Sequence, residues 1–358
     1  MTLNNNVAII TDIHFGVRGD SIHFHDYMER FFKEEFFPEV KRNGITTIVC
    51  LGDIFDVRKT INFYTLSRVK GYFFDRLKEE GLEFIILVGN HDVYYKNSNE
   101  INSPDLLLRE YSNVKIIWDK PETLEISGTK VSFIPWIHNG TYESTLEFIK
   151  NDHATICFAH LELEGFVYHA GVMADSGMSA KHFENYDMVL TGHYHSKSSK
   201  GNVHYLGTMF DLTWADVDEK KYWHTFDPTN CKLTPIENQN RMFVKLTYDD
   251  SSEEFEEALK DYDFSYLSGK YVRIIVEKKA KPVLLDVMMD KIQKVQPIDL
   301  SIVDNTVFGV TEELTPELLV QDTQTILKKA VDILDVDVDK GTLYNMLLSV
   351  YDEANAAC

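Results

Sequence analysis

Five short, largely apolar runs each stop against side chains that bind metal or carry protons. Val7–Ile10 leads into Thr11-Asp12-Ile13-His14, and Thr47–Leu51 into Gly52-Asp53. Phe84–Val88 ends in Gly89-Asn90-His91-Asp92, Thr155–Ala159 in His160, and Met188–Leu190 in Thr191-Gly192-His193-Tyr194-His195. Runs of this length suit strands buried on both faces. Helical stretches lie between the first three. One covers about 25–41, with Phe31, Phe32, Glu35 and Phe36 at helical spacing; the other covers about 64–79, with Leu66, Val69, Phe73 and Leu77 on one stripe. Strand and helix in alternation predict parallel pairing and an α/β layered fold. Ligands bind beyond the carboxyl ends of the strands in such sheets. Five strands ending side by side would therefore gather these polar groups into one cleft.

The spacing within each cluster fits that reading. Asp12 and His14, like His193 and His195, are two residues apart, and an extended chain points i and i+2 to the same side. A glycine ahead of Asp53, Asn90 and His193 lets the backbone approach without a Cβ. The donors are carboxylate, amide oxygen and imidazole, with no cysteine. That set points away from a structural zinc knot and toward Mn²⁺, Mg²⁺, Fe²⁺ or catalytic Zn²⁺. Asp12, His14, Asp53, Asn90, His160, His193 and His195 offer more donors than one ion takes if water is also to bind. Two ions sharing a carboxylate, about 3.5–4 Å apart and suited to in-line phosphoryl displacement, are the economical expectation.

The rest of the chain supplies a frame. "VKIIW", "KVSFIPW" and "NVHYLG" read as further strands, suited to a second sheet packed on the first. From about Asn238 the pattern becomes strand, acidic helix, strand, helix, strand, a compact α+β module. Thr315-Pro316-Glu317 then starts a helix with a Thr cap, Pro at its first position and an acid in its first turn. A second helix carries Leu343, Met346, Leu347 and Val350 on one face. Residues 301–358 hold eleven acids and three bases. A helical hairpin with an apolar face and an acidic back packs on its own domain or docks on a partner. No apolar run approaches the length of a membrane span, and the N-terminus lacks a basic signal region. A cytoplasmic protein without membrane contact is expected. Cys50, Cys157, Cys231 and Cys358 form no CxxC pair and read as thiols in a reducing compartment.

The ordered series D-x-H, GD, GNHD, H, GH-x-H over residues 12–195 is similar to the signature of calcineurin-like metallophosphoesterases. "NGITTIVCLGDIFDVRKTI", "LVGNHDVYYKN", "HLELEGF" and "YLGTMFDLTWAD" further resemble the nuclease subunits of SbcC–SbcD- and Mre–Rad-type complexes, their T-even-phage branch most of all. The resemblance implies a four-layer sandwich of two central sheets flanked by helices, with a small α+β cap and a C-terminal helical hairpin. It implies a nuclease domain over 1–236, a DNA-contacting cap over 237–304, and helices over 305–358 that bind an SMC-like ATPase. It implies that Asp12, His14 and His195 hold one ion, that Asn90, His160 and His193 hold the other, and that Asp53 bridges them. The ions would be Mn²⁺ foremost, with Mg²⁺ as the alternative. His91 matches the family's non-ligand histidine, which contacts the scissile phosphate. Cellular members often carry His at the position of Asp56, whereas phosphatases of the superfamily place there an Asp that orients the catalytic His. Asp56 is therefore expected to pair with His91. Family members also form homodimers through the nuclease domain.

A net charge of -21 argues against a protein that grips nucleic acid alone, since phosphate contacts need Lys and Arg. It fits a nuclease subunit whose cations and partner supply the positive charge. Two other readings stand beside it. One is a small-molecule phosphodiesterase or phosphatase such as a cyclic-nucleotide hydrolase; the other is a non-catalytic scaffold on the same fold. Arg58, Lys59, Lys197 and Lys200 are either phosphate contacts or solvated loop charges. Tyr94, Tyr95, Phe166 and Tyr168 fit packing better than base stacking. The remaining histidines, His169 among them, match no ligand spacing.

Overall fold

The computed structural model describes residues 6–169, 171–308, 331 and 339–356. Residues 1–309 and 310–358 form two separate units.

The first unit is built on two six-stranded sheets. One has β1 (Val7–Ile10), β2 (Thr47–Cys50), β3 (Glu83–Leu87) and β6 (Val114–Ile117) in parallel, extended at the β1 side by antiparallel β15 (Tyr222–Asp227) and β16 (Lys232–Glu237). The other runs in the order β13 (Ser198–Lys200), β14 (Val203–Tyr205), β12 (Met188–Gly192), β9 (Ile156–His160), β8 (Thr129–Ile134), β7 (Glu122–Ile126). Its four central strands are parallel. Two small hairpins, β4 (Val93–Tyr95) with β5 (Ser98–Asn102) and β10 (Val167–His169) with β11 (Val172–Met173), rise from loops near the strand ends.

Side-chain alternation along the strands makes the layers. Val7, Ile9, Val49, Leu51, Ile85 and Leu87 from the first sheet meet Val131, Phe133, Ile156 and Phe158 from the second in a shared apolar seam. The intervening residues Ala8, Ile10, Ile48, Cys50, Phe84 and Ile86 turn outward onto an aromatic helical layer. Cys157 and Ala159 turn outward on the other side, toward Ile149 of the helix Tyr142–Asn151. The result is helix, sheet, sheet, helix. The strands expected to end side by side are therefore split, three in one sheet and two in the other, and the site forms across the sandwich.

Both helices expected between the first strands exist, and each carries a π segment: Phe32–Phe36 within 22–42, and Lys70–Phe74 within 63–79. Consecutive phenylalanines explain them. Neighbours on an α-helix are about 100° apart, so pairs such as Phe31/Phe32, Phe36/Phe37 and Phe73/Phe74 cannot all centre on one α-helical stripe. A wider turn shifts the register, and all six rings are fully buried.

β17 (Phe243–Asp249), β18 (Tyr271–Lys278) and β19 (Asp299–Asp304) form a three-stranded sheet with the helices Glu253–Asp261 and Pro282–Lys294 between them. All pairs are parallel. This refines the α+β expectation: the module is a small alternating α/β unit. It follows the last strand of the first sheet, and Phe243 packs in the aromatic layer of the main core.

In the second unit, the helix Lys340–Ala356 starts at Asp339, whose Oδ2 accepts the backbone N–H of Thr342. Met346 on it is 67% exposed. The helix expected from Thr315 lies outside the described residues. No helix among the described residues is long and apolar enough to cross a membrane.

Candidate metal centre

The strand ends continue side by side into the site. Asp12 N–H donates to Gly52 O at 3.0 Å, and His14 N–H to Asp53 O at 3.2 Å. The backbone there is not extended. Asp12, His14, Asp53 and His193 all have positive φ, of 49°, 54°, 52° and 91°. Such values cost a non-glycine residue of order 1–3 kcal/mol each. The expectation that i and i+2 share a side because the chain is extended is therefore corrected. Asp12 and His14 reach one group through left-handed turns, while His193 and His195 part to different groups.

Asp12, His14 and His195 bring one donor atom each within 4.8 Å of one another, and Asp53, His160 and His193 do the same. In the first group His14 Nε2 lies 3.2 Å from His195 Nε2. In the second, Asn90 Oδ1 lies 3.0 Å from His160 Nε2 and 2.7 Å from His193 Nδ1. Asp53 Oδ2 stands between the groups, 3.4 Å from His160 Nε2 and 4.0 Å from His14 Nε2. All seven side chains named from the sequence thus converge. The close approach depends on the glycines. A Cβ at Gly52 would strike the His160 ring, one at Gly89 the Asp53 carboxylate, and one at Gly192 the Thr11 hydroxyl.

A second set of contacts aims these donors. His160 Nδ1 donates to Leu51 O at 2.7 Å, which leaves Nε2 facing Asp53 and Asn90. Asp92 is fully buried and accepts the N–H groups of Asp53, Ile54 and Gly89 at 2.9, 3.0 and 2.9 Å. It clamps the GD loop to the GNHD loop. Asp53 Oδ1 in turn accepts the His91 N–H at 2.7 Å.

Asp56 departs from its expected role. Its carboxylate Oδ1 lies 3.2 Å from His14 Nδ1, and His91 Nδ1 instead donates to the Asp56 backbone carbonyl at 2.7 Å. The reason is local. His14 and His91 pack edge to face with centroids 4.8 Å apart, so the loop carrying Asp56 meets both rings and gives each a different group.

Burial and charge sort the protons. Burial alone would lower the His160 pKa, but the Asp53 carboxylate beside it raises it to about 9. His14 is likewise raised despite burial, first by Asp56 and then by Asp53 and Asp12. Burial and the neighbouring His160 charge push His193 down to about 3, and burial with His14 holds His195 well below the usual range. Burial opposes the Asp53 charge, yet His160 and His14 hold its carboxyl far below the usual carboxylate range. Burial raises the Asp12 carboxyl pKa, against the pull of His160 and His14. Among the described residues neither buried Asp12 nor buried Asp53 has a Lys or Arg ion pair, which fits a cation there. The mixed O/N donor set with no thiolate suits Mn²⁺, Mg²⁺, Fe²⁺ or catalytic Zn²⁺.

Sequence reasoning missed three features. The Trp136 ring sits 5.2 Å from the His193 ring and 6.0 Å from the His160 ring. The strand-end rule applied to "KVSFIPW" would have found it, since β8 lies beside β9. The His169 ring, on β10, is 6.2 Å from His195, and its Nδ1 is buried without a hydrogen bond. Lys221 is 2% exposed and lies 2.6 Å from buried Asp216 and 3.3 Å from the His195 carbonyl. No spacing signals either. Of the loop cations, Lys59 lies over the Tyr94 ring and Lys197 over Tyr222. Phe166 is core, packed on Tyr205.

Residues 6–197 match the calcineurin-like phosphoesterase family. Exonuclease subunit 1 of Enterobacteria phage T4 is 32% identical over 316 residues, which cover 88% of this chain and 89% of the relative. Two solved structures align at lower similarity. A novel archaeal phosphodiesterase is 12% identical, with TM-score 0.34, over 65% of this chain and 99% of its own. The Pseudomonas putida nuclease MPE is 13% identical, with TM-score 0.32, over 65% and 88%.

Proposed function

Because the chain belongs to the calcineurin-like phosphoesterase family, and is therefore a metal-dependent hydrolase, we propose that it is a DNA nuclease acting as one subunit of a larger complex. The observation that carries this reading is the likeness to exonuclease subunit 1 over nearly the whole chain. The geometry supports it with two adjoining donor groups, the Asp53 carboxylate of one lying 4.0 Å from His14 of the other.

Asp12, His14 and His195 would hold one divalent ion, Asn90, His160 and His193 the other, and Asp53 both. Manganese is the first candidate and magnesium the second. Bound there, such ions supply charge neutralisation at phosphorus and an activated water. The chain's own residues do the rest. His91 Nδ1–H donates a hydrogen bond to the Asp56 carbonyl, which leaves Nε2 free; as the imidazolium, the ring would donate its Nε2–H to the phosphate and pass that proton to the leaving oxygen. The Asp56 carboxylate steadies His14 from behind. Asp92 keeps the two central loops in register.

The remaining assignments follow the resemblance. Residues 1–236 form the nuclease domain, which pairs with a second copy. Residues 237–304 form a cap that contacts DNA. Residues 305–358 dock on an SMC-like ATPase, which lends the DNA grip that a net charge of -21 withholds. The test is Mn²⁺-dependent degradation of linear duplex DNA beside a cyclic-nucleotide substrate. Degraded DNA and an intact cyclic nucleotide are expected; the reverse would make this a small-molecule phosphodiesterase. Deleting 312–358 should abolish co-purification with the ATPase and spare hydrolysis of a small phosphodiester.

A further inference from the structure

The first donor group is assembled across the sandwich. Asp12 and His14 follow β1 of the first sheet, whereas His195 follows β12 of the second. Strand pairing stops at the edges of each sheet, so other contacts must register the two ends. One is the His193 N–H on the Asp12 carboxylate, at 3.0 Å. His195 is tied across by a different device, Lys221. This lysine stands just before β15, and the antiparallel pairing of Ile9 with His224 puts it at the carboxyl end of β1. Its Nζ lies 3.3 Å from the His195 carbonyl oxygen, 2.6 Å from the Asp216 carboxylate and 3.3 Å from that of Glu219. The same His195 carbonyl accepts the Thr208 N–H at 3.1 Å, and the His195 N–H donates to Tyr168 O at 3.0 Å. Held through its backbone in this way, His195 presents Nε2 3.2 Å from His14 Nε2.

Lys221 is 2% exposed and Asp216 fully buried. An apolar pair of the same volume would stabilise the fold about as well as two desolvated charges do. What the ammonium adds is a donor to the second lone pair of the His195 carbonyl, which no apolar side chain can supply. Asp216 is built to aim it. Its Oδ2 accepts the N–H groups of Leu212 and Thr213 at 3.1 and 2.8 Å, and Arg241 donates to its backbone carbonyl at 2.9 Å. The carboxylate therefore cannot swing away. Glu219 extends the grip by one residue, since its Oε1 accepts the Ser196 hydroxyl at 2.7 Å.

We infer that Lys221, aimed by Asp216, is a positioning residue for the first donor group. It holds the His195 carbonyl so that the ring stands against His14, and it thereby sets the affinity of the ion assigned to Asp12, His14 and His195. The inference rests on the two-ion reading. Calorimetry with Mn²⁺ alone tests it without turnover. The wild type should take up two ions per chain. Lys221→Met should weaken one of them about ten-fold or more and leave the other unchanged. That variant strands the Asp216 charge. Should urea titration in EDTA show it unfolded, Lys221→Met combined with Asp216→Asn carries the same expectation, because it removes both charges and keeps an oxygen for the Leu212 and Thr213 N–H groups. In a His195→Gln background the Lys221 change should cost the remaining ion nothing further. Two ions bound with wild-type affinity in the folded variant, equal weakening of both, or a further loss in the His195→Gln background overturns the inference, and Lys221 then serves stability alone. Fewer than two ions in the wild type sinks instead the two-ion reading, and the inference with it.

Discussion

Protons and metal ions compete for the same buried place, and His160 makes that competition measurable. In the metal-free protein Asp53 overrides the effect of burial and raises the His160 pKa to about 9. A histidine in the unfolded chain titrates near 6.5. The folded state therefore holds an extra proton between these values. Its contribution to stability is complete below pH 6.5 and is lost as the pH climbs through 9. Moving the pKa from 6.5 to about 9 is worth roughly 3 kcal/mol, at about 1.4 kcal/mol per pH unit. The depressed pKa of Asp53 reports the same ion pair and is not added. His14, also raised, acts in the same direction. Urea unfolding in excess EDTA should show the wild type losing about 3 kcal/mol or more between pH 6.5 and 9. His160→Gln should retain only the parts due to His14 and to Asp92, whose carboxyl burial raises to about 7. Saturating Mn²⁺ should abolish the slope, because the cation replaces the proton. A fall of equal size in His160→Gln, or none in the metal-free wild type, would refute the argument.

Asp92→Ala strands the buried N–H groups of Asp53, Ile54, Phe55 and Gly89, each costing about 1–3 kcal/mol, so the urea midpoint should drop sharply; Asp92→Asn, which keeps one acceptor oxygen, should lose less. Asp56→Asn should weaken Mn²⁺ binding at least about ten-fold by calorimetry, because it removes the carboxylate behind His14. His91→Gln should cut kcat on a phosphodiester by about 10²–10⁴-fold while two Mn²⁺ per chain still bind. Loss of one Mn²⁺ instead would make His91 a ligand.

The order of strands, the helices between them and the seven converging donors were legible in the sequence, because each is a local matter. A strand buried on both faces must be apolar along its length, so its end is marked where polar residues begin. A loop that brings its backbone against a buried ring or carboxylate must lack a Cβ, so glycine stands before Asp53 and Asn90. What Asp56 faces was not legible. Its position along the chain is the same whether its carboxylate meets His91 or His14; the packing of those two rings decides it. The split of the site between two sheets, the left-handed turns at Asp12 and His14, and the hold of Lys221 on the His195 carbonyl are likewise products of tertiary structure. Hydrophobic period and residue type report a side chain's own surroundings. Which distant side chain shares those surroundings is settled only when the layers close.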